Sequence, residues 1–544
     1  MIADRIVTNA QLWLPEPSAA IAVAWADQTI LAVGTNEEVL EYRGASTLVT
    51  DAGGAALLPG FHDAHIHAQS GGIALTGCDL DAEHSLEGYR RLIEEYAASH
   101  DDEWVTGSGW FGDVFAGGFP HRELLDDILG ERPAVFTSHD AHGIWVNTAA
   151  LTRAGIDDET RDPAAGRIVR DESGHATGML IDTAGELVTR LLPEPDQASL
   201  RSALLAAQER LFSLGVTAWH DAILGEYLTL PDCIPAYLET VSDGSLRARV
   251  TGSVWWPIEA GVSFVPEMIA RVRELREAGM AVNSVKIMQD GICENCTAAL
   301  IAPYTGVNPE QRGDSVIEPR VLHEITAALD AAGLSVHFHG VGDRAVRECL
   351  DAVAYARERN GSGQAHQIAH LDVVDEQDIA RFADLGVTAN LQPLWARNDQ
   401  EILERKLPLI GEERFGWHFP FGSLHRAGAH LAMGSDWPVT SPDPLWGLHT
   451  ATQRTAPLAD KHALNPESRV AAQPEQRLDV ATALRAYTLG SAEISGNAAM
   501  IGSLEPGKLA DLVVLSGAID GAHSFDELRV TETILGGQTV YLAE

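Results

Sequence analysis

Cysteine is scarce: Cys78, Cys233, Cys293, Cys296 and Cys349 are the only five in 544 residues. An odd and sparse set excludes a disulfide framework, so reduced thiols are expected. Positive charge is short as well. Lys and Arg total 38 against 78 Asp and Glu, a formal charge of −40, and the acid excess is spread along the chain rather than gathered in a tail. Such a surface favours solubility and disfavours nucleic acid or anionic membranes as partners, leaving a small-molecule substrate. No apolar run reaches the length of a transmembrane helix. The opening MIADRIVTNAQLWLPEP puts charged and polar residues where a secretory signal needs its apolar stretch, so the location read from sequence is cytoplasmic.

Other signatures are missing too. No G-x-S-x-G elbow follows a strand, which removes a Ser/His/Asp hydrolase, and no phosphate-binding loop suggests a nucleotide cofactor. Cys293-Glu294-Asn295-Cys296 spells C-x-x-C, but neither a second pair nor a thioredoxin-like context accompanies it, and no role is assigned. Internal repeats and low-complexity tracts are absent.

What is present is enough apolar residue, 45%, to bury a large core in two or three units. Residues 3 to 57 hold short β-branched runs broken by Gly, Asn and Asp, the pattern of strands joined by tight turns. The same texture returns in GSLEPGKLADLVVLSG and VTETILGGQTVYLAE, so 1–57 and 490–544 are expected to form one β-sandwich. Between them, short apolar runs alternate with helix-like stretches, which predicts an α/β fold, a (β/α)8 barrel over 58–489. Nine strand candidates compete for eight places: LLPGFHD, AVFTSHD, VTAWHD, RVTGSVWW, SVKIMQD, LSVHFHG, HQIAHL, VTANLQP and HLAMGSD. The stretch from 62 to 216 is far too long for one crossover, so AVFTSHD is assigned to an insertion at about 69–195, after the first barrel strand. The polar stretch 453–475 is read as a connection before a last helix.

The strongest local chemistry is His65-Ile66-His67, because residues two apart on extended chain point the same way and both imidazoles reach one ion. Alone the pair is a weak signal. Lys286, His339, His370 and Asp436 stand at or near the carboxyl ends of later strands, the face where barrels of this kind converge their active sites. Each has an ordinary structural reading: a snorkelling lysine, hydrogen-bonded core histidines, an aspartate capping a turn. Polar residues at all these otherwise apolar strand ends, at about 1 to 3 kcal/mol for each unpaired group, argue together for a metal.

The phrases LLPGFHDAHIH, GVTAWHDA, VKIMQDG, VHFHGVGDRAV, IAHLD, GSDWPV and GSLEPGKLADLVVL, in this order, resemble the amidohydrolase superfamily over nearly the whole chain. The likeness is to its branch of large members similar to N-substituted formamide deformylase (amidohydrolase family 3). That resemblance implies a bent TIM barrel flanked by the terminal β-sandwich, with His65 and His67 on strand one, Lys286 on strand four, His339 on strand five, His370 on strand six and Asp436 on strand eight. It implies one or two divalent metals, zinc first by ligand chemistry, held by His65, His67, Lys286, His339, His370 and Asp436. In binuclear members a CO2-derived carbamate on the lysine bridges the ions. The implied reaction is cleavage of a C–N bond other than a peptide bond, in an amide, N-substituted formamide or cyclic amide. Metal-activated hydroxide attacks, with Asp436 as general acid and base. A mononuclear aminohydrolase (deaminase) is the alternative, and a catalytically inactive barrel with an interaction role a weaker one. Asp63 is expected as a partner of a ligand imidazole, and Trp110, His142, Asp290, Asp343 and Trp395 at the substrate, with Arg344, Trp145 and Trp437 as further neighbours. A homodimer is the assembly the resemblance suggests.

Overall fold

The computed structural model describes the chain except residues 15–17, 164–165, 194, 228–230, 362, 521–523 and 544. Eight strands form one parallel sheet in chain order: β1 (Phe61–Ile66), β2 (Val216–Leu224), β3 (Arg249–Trp255), β4 (Ala281–Met288), β5 (Ser335–Gly340), β6 (Gln367–His370), β7 (Thr388–Leu391) and β8 (His430–Met433). They are short apolar runs because both faces are covered, one by the barrel interior and the other by helices. Helices are placed by their own capping chemistry. Gln197–Ser213 begins where the Asp196 side chain accepts from the Ser199 amide at 2.8 Å. Pro319–Ala331 begins with proline in its first turn, and the Glu318 side chain accepts from the Val321 amide. Leu204 and Leu211 of the first helix and Leu322, Ile325 and Leu329 of the second are buried in the same core as the strands, each burial being worth roughly 2 kcal/mol.

No ladder joins β8 to β1. Two backbone bonds close that gap just past the strands: Asp436 N to His65 O at 2.7 Å and His67 N to Trp437 O at 2.9 Å. The seam therefore runs through the HxH pair and the GSD segment.

AVFTSHD lies outside the barrel, as strand Ala134–Ser138 in a six-stranded sheet built from Cys78–Asp79, Val105–Trp110, Ala134–Ser138, Gly143–Val146, Gly166–Arg170 and Ala176–Asp182. This insertion has apolar cores of its own. Within it Gly107-Ser108-Gly109-Trp110-Phe111-Gly112 spells G-x-G-x-x-G, yet the run passes from a strand into a 3-10 turn at Gly112–Val114 and opens no α-helix, so no phosphate cradle results.

The two ends of the chain meet. Arg5–Thr8, Ala22–Ala26, Thr29–Gly34 and Leu48–Asp51 form one sheet; Gln11–Leu12 and Ala56–Pro59 join Leu512–Leu515, Val530–Leu535 and Gln538–Leu542 in another. Val7, Val23 and Trp25 of the first sheet pack on Leu57, Leu512 and Ile534 of the second. The helix Ser491–Ile494 packs on the barrel strands: Ser491 Oγ donates to Met433 O at 3.1 Å, and Ile494 O accepts from the Asn283 side chain at 2.8 Å. All five cysteines are free, and among the described residues no helix is long and apolar enough to cross a membrane.

Candidate metal centre

At the carboxyl ends of the barrel strands, Asp436 Oδ1 lies 3.1 Å from His67 Nε2 and 3.4 Å from His65 Nε2, and its Oδ2 lies 3.7 Å from His370 Nδ1. Ligand atoms of His65, His67 and Asp436 all fall within 4.8 Å of one another. The His370 ring stands 4.9 Å from that of His65 and 4.3 Å from that of His339, centroid to centroid. Lys286 stands on β4 in register with His337, with Met288 one pleat nearer the mouth, in register with His339.

Two of these side chains are delivered by backbone that L-residues rarely adopt. His370 has φ of 79° and Asp436 of 57°. The left-handed turn at His370 is held by its amide donating to Gln392 Oε1 at 2.7 Å. That at Asp436 is held by the seam bond to His65. Strained non-glycine backbone of this kind persists where surrounding contacts fix it, and it concentrates at functional sites.

The electrostatics favour ligands over charged side chains. Burial, then the nearby Lys286, holds the His65 imidazole well below its ordinary range. His339 is lowered for the same two reasons, and His370 by burial and then His339. Burial brings Lys286 down to about 7 against the opposing pull of Asp436, so an appreciable fraction is an uncharged amine at neutral pH.

Four atoms here are buried without any hydrogen-bond partner: Lys286 Nζ, both ring nitrogens of His370 and Asp436 Oδ1. Orphaned polar atoms in one place are costly, roughly 1 to 3 kcal/mol each, and a divalent cation is the partner this set of neutral imidazoles and one carboxylate suits. His339 also fits. Its Nδ1 faces Asp290 Oδ1 at 3.3 Å, which leaves Nε2 for a ligand, the arrangement in which a carboxylate orients a metal-binding histidine.

Other residues read from the sequence are engaged in contacts within the protein. Asp290 is fully buried, and its oxygens take the amides of Ala299, Val341 and Gly342 at 2.8 to 3.0 Å besides facing His339. Asp343 is spent on the Ile301 amide at 2.8 Å, while Arg344 donates to Gly313 O. Trp110 sits in the core of the insertion, its indole donating to Phe136 O at 2.9 Å, and Trp145 likewise donates to His121 O. Asp63 serves the backbone amides of His65 and Ser435 rather than an imidazole. Trp437 packs over Gly71.

Two substrate candidates do reach the centre. His142, from the insertion, has its ring 6.1 Å from that of His339, and its Nδ1 pairs with Asp182 Oδ1 at 2.7 Å. Burial opposes a charge there, but the Asp182 bond and charge, with Asp140 and Asp436, outweigh it and push His142 up to about 9. The Trp395 ring stacks on His370 at 5.3 Å and 14°, and its indole N–H is buried without a partner.

Sequence reasoning missed Asp182, for which GMLIDT offers no signal. It also missed His337, whose Nε2 lies 2.9 Å from His65 Nδ1. There a signal existed, because VHFH repeats the two-residue spacing that singled out HIH.

The amidohydrolase family matches residues 48–541 of the chain. The protein belongs to that family. Protein LONG AFTER FAR-RED 3 of Arabidopsis thaliana is 30% identical over 99% of this chain and 92% of its own length. N-substituted formamide deformylase of Arthrobacter pascens is 24% identical over 99% of this chain and 98% of its own. A solved structure of an uncharacterized metal-dependent hydrolase from Pyrococcus furiosus shares the fold at a TM-score of 0.68, covering 94% of this chain and 98% of that one with 24% identity. Family membership makes the protein a hydrolase of the amidohydrolase superfamily.

Proposed function

We propose that the protein is a metal-dependent hydrolase of C–N bonds in small amides, N-substituted formamides or cyclic amides, with His65, His67, Lys286, His339, His370 and Asp436 as its ligand set. The observation that carries this reading is the buried cluster around Asp436, whose unpaired atoms call for a cation. One or two divalent metals bound there, zinc by donor type, supply an acidified water and polarise the substrate carbonyl. Lys286, part-neutral in its buried site, is suited to becoming a carbamate and completing a second position.

Asp436 takes the proton of the attacking water and returns it to the leaving nitrogen; its Oδ1, beside His65 and His67 but hydrogen-bonded to neither, is the oxygen placed to do so. His142, held cationic by Asp182, and the free Trp395 indole N–H are two donors placed for the substrate carbonyl, where negative charge develops during attack. Ile223, Tyr227 and Met288, with Trp255 against them, form an apolar cluster that suits the N-substituent. Similarity to N-substituted formamide deformylase supports the same substrate class.

The test is elemental analysis of untagged protein together with hydrolysis of a panel of N-substituted formamides and acyl amides before and after chelation. Near two metals per chain and chelator-sensitive release of amine are expected. About one metal, with ammonia released from an aminated ring, would move the assignment to a deaminase. No metal under any loading condition would overturn it.

A further inference from the structure

Beneath the ligands a buried chain of polar side chains crosses the barrel interior, and its hydrogen bonds have only one consistent direction. The chain starts at the base. The Asn283 side-chain nitrogen donates to Ile494 O at 2.8 Å, and a carbonyl only accepts, so the amide is oriented with Oδ1 facing the other way. Ser284 Oγ lies 3.1 Å from that Oδ1 and must donate to it. Its single proton spent, Ser284 accepts from Ser253 Oγ at 2.7 Å and, more weakly, from His220 Nε2 at 3.3 Å. Ser253 in turn has no proton left for its other neighbours, and it accepts from His337 Nδ1 at 3.2 Å and from His220 Nε2 at 2.8 Å. His220 closes that branch, its bare Nδ1 accepting from Thr251 Oγ1 at 2.8 Å. A neutral His337 with its proton on Nδ1 has a bare Nε2, and the only way to satisfy its 2.9 Å contact is for His65 Nδ1 to donate. His65 Nε2 is then left with its lone pair toward Asp436 and the ligand cluster.

We propose that His337 is a positioning residue which, through Ser253, Ser284 and Asn283, holds His65 with its proton on Nδ1 and Nε2 bare, ready for a metal. Asn283 is half-buried, but Ser253, Ser284 and His337 are buried, the first two at 0% and 1% exposure and His337 at 0%, so no bulk water intervenes to reverse a link from Ser284 inward. The polarity is imposed from the base of the barrel, at the Ile494 carbonyl of a late segment, and reaches the site through β4, β3 and β5 in turn. Orienting shells around metal ligands typically change affinity 10- to 100-fold when broken.

This inference takes from the proposed function only that His65 is a ligand, and its first measurement needs no metal. Metal-free protein labelled with 15N-histidine, with His65 assigned by comparison with His65→Gln, should give the neutral Nδ1–H tautomer for His65 and for His337. A His65 proton on Nε2 would overturn the proposal whether or not the protein binds metal. Zinc affinity is then measured by chelator competition. His337→Leu removes the acceptor and should weaken zinc binding 10- to 100-fold, whereas His337→Gln, which keeps an acceptor toward His65 and a donor toward Ser253, should recover most of it. Ser253→Ala, a smaller change that tests the link should the leucine variant fail to fold, should weaken zinc binding several-fold with the same loss of tautomer order. Equal zinc affinity in Ser253→Ala, His337→Gln and wild type, with an unchanged His65 spectrum in Ser253→Ala, would reduce the chain to packing. A wild-type protein that binds no zinc but shows the expected tautomers would sink the metal reading and leave the relay standing.

Discussion

Asp436 Oδ1 and His67 Nε2 stand 3.1 Å apart, although one residue follows the last barrel strand and the other follows the first. Only ring closure brings them together, and the backbone of Asp436 pays a left-handed φ of 57° to do so. Asn tolerates that conformation far better than Ala. Asp436→Asn should therefore fold like wild type while kcat falls at least 100-fold for want of the proton carrier. Asp436→Ala should lose the same activity and, in addition, about 1 kcal/mol of stability. Urea midpoints and steady-state rates of both variants decide this; an active Asn variant would remove Asp436 from proton transfer.

Gly434 enforces the seam. A Cβ there would lie 2.4 Å from the His65 nitrogen and 2.8 Å from its Cβ, both of them at the ligand strand. Gly434→Ala should cost roughly 1 to 3 kcal/mol through overpacking and reduce bound metal as His65 is displaced. Thermal unfolding and metal content should fall together, and a variant with normal metal content would show that the seam relaxes without moving the ligand.

His142 gives a pH signature. Its pKa is raised to about 9 because the bond and charge of Asp182 overcome burial, so the imidazolium persists through neutral pH and is lost as pH rises through 9. If the cation binds substrate, kcat/KM falls on the alkaline side near pH 9. In Asp182→Asn that limb should move toward neutral pH, with a loss of about 10-fold or more at pH 8. The pH profile of the two proteins is the measurement, and an unshifted limb would assign the dyad a purely structural part.

Stability in acid should depend on Asp330, remote from the site. Its carboxylate accepts from His366 at 3.0 Å, Asn360 at 2.9 Å, the Gln364 amide at 2.9 Å and Arg357 at 3.2 Å. Burial alone would raise its pKa, but these bonds outweigh burial and set it below the ordinary 3.8. The sign follows: the contribution is complete above pH 4 and disappears as the pH falls through the depressed value. Asp330→Asn should cost on the order of 3 kcal/mol at pH 7, as breaking a buried pair does, and progressively less below pH 4. Denaturation midpoints across pH 3 to 7 test it; a pH-independent difference would point to shape rather than charge.

The barrel was legible because its strands are buried on both faces and therefore read as apolar runs, while polar residues at their carboxyl ends break the pattern. His65 and His67 announced themselves by spacing, and Lys286, His339, His370 and Asp436 by standing where apolar residues were due. Asp290 had the same look yet is consumed by three amides and an imidazole. Its surroundings are two loops, and which amides a loop turns inward is not encoded in the residue they surround.

The sequence by itself determined the element order, the excess acid, the family motifs and the strand-end location of six polar side chains, because each depends on local periodicity or on residue type. Tertiary structure alone decided which of those side chains face one another. Asp436 meets His67 across a seam, Asp182 charges His142 across two strands of the insertion, and Asn283 at the barrel base sets the proton position on His65. These relations join residues far apart in the chain, and each waits on the tertiary contact that brings its partners together: closure of the barrel for Asp436 and for Asn283, and the insertion's own sheet for Asp182.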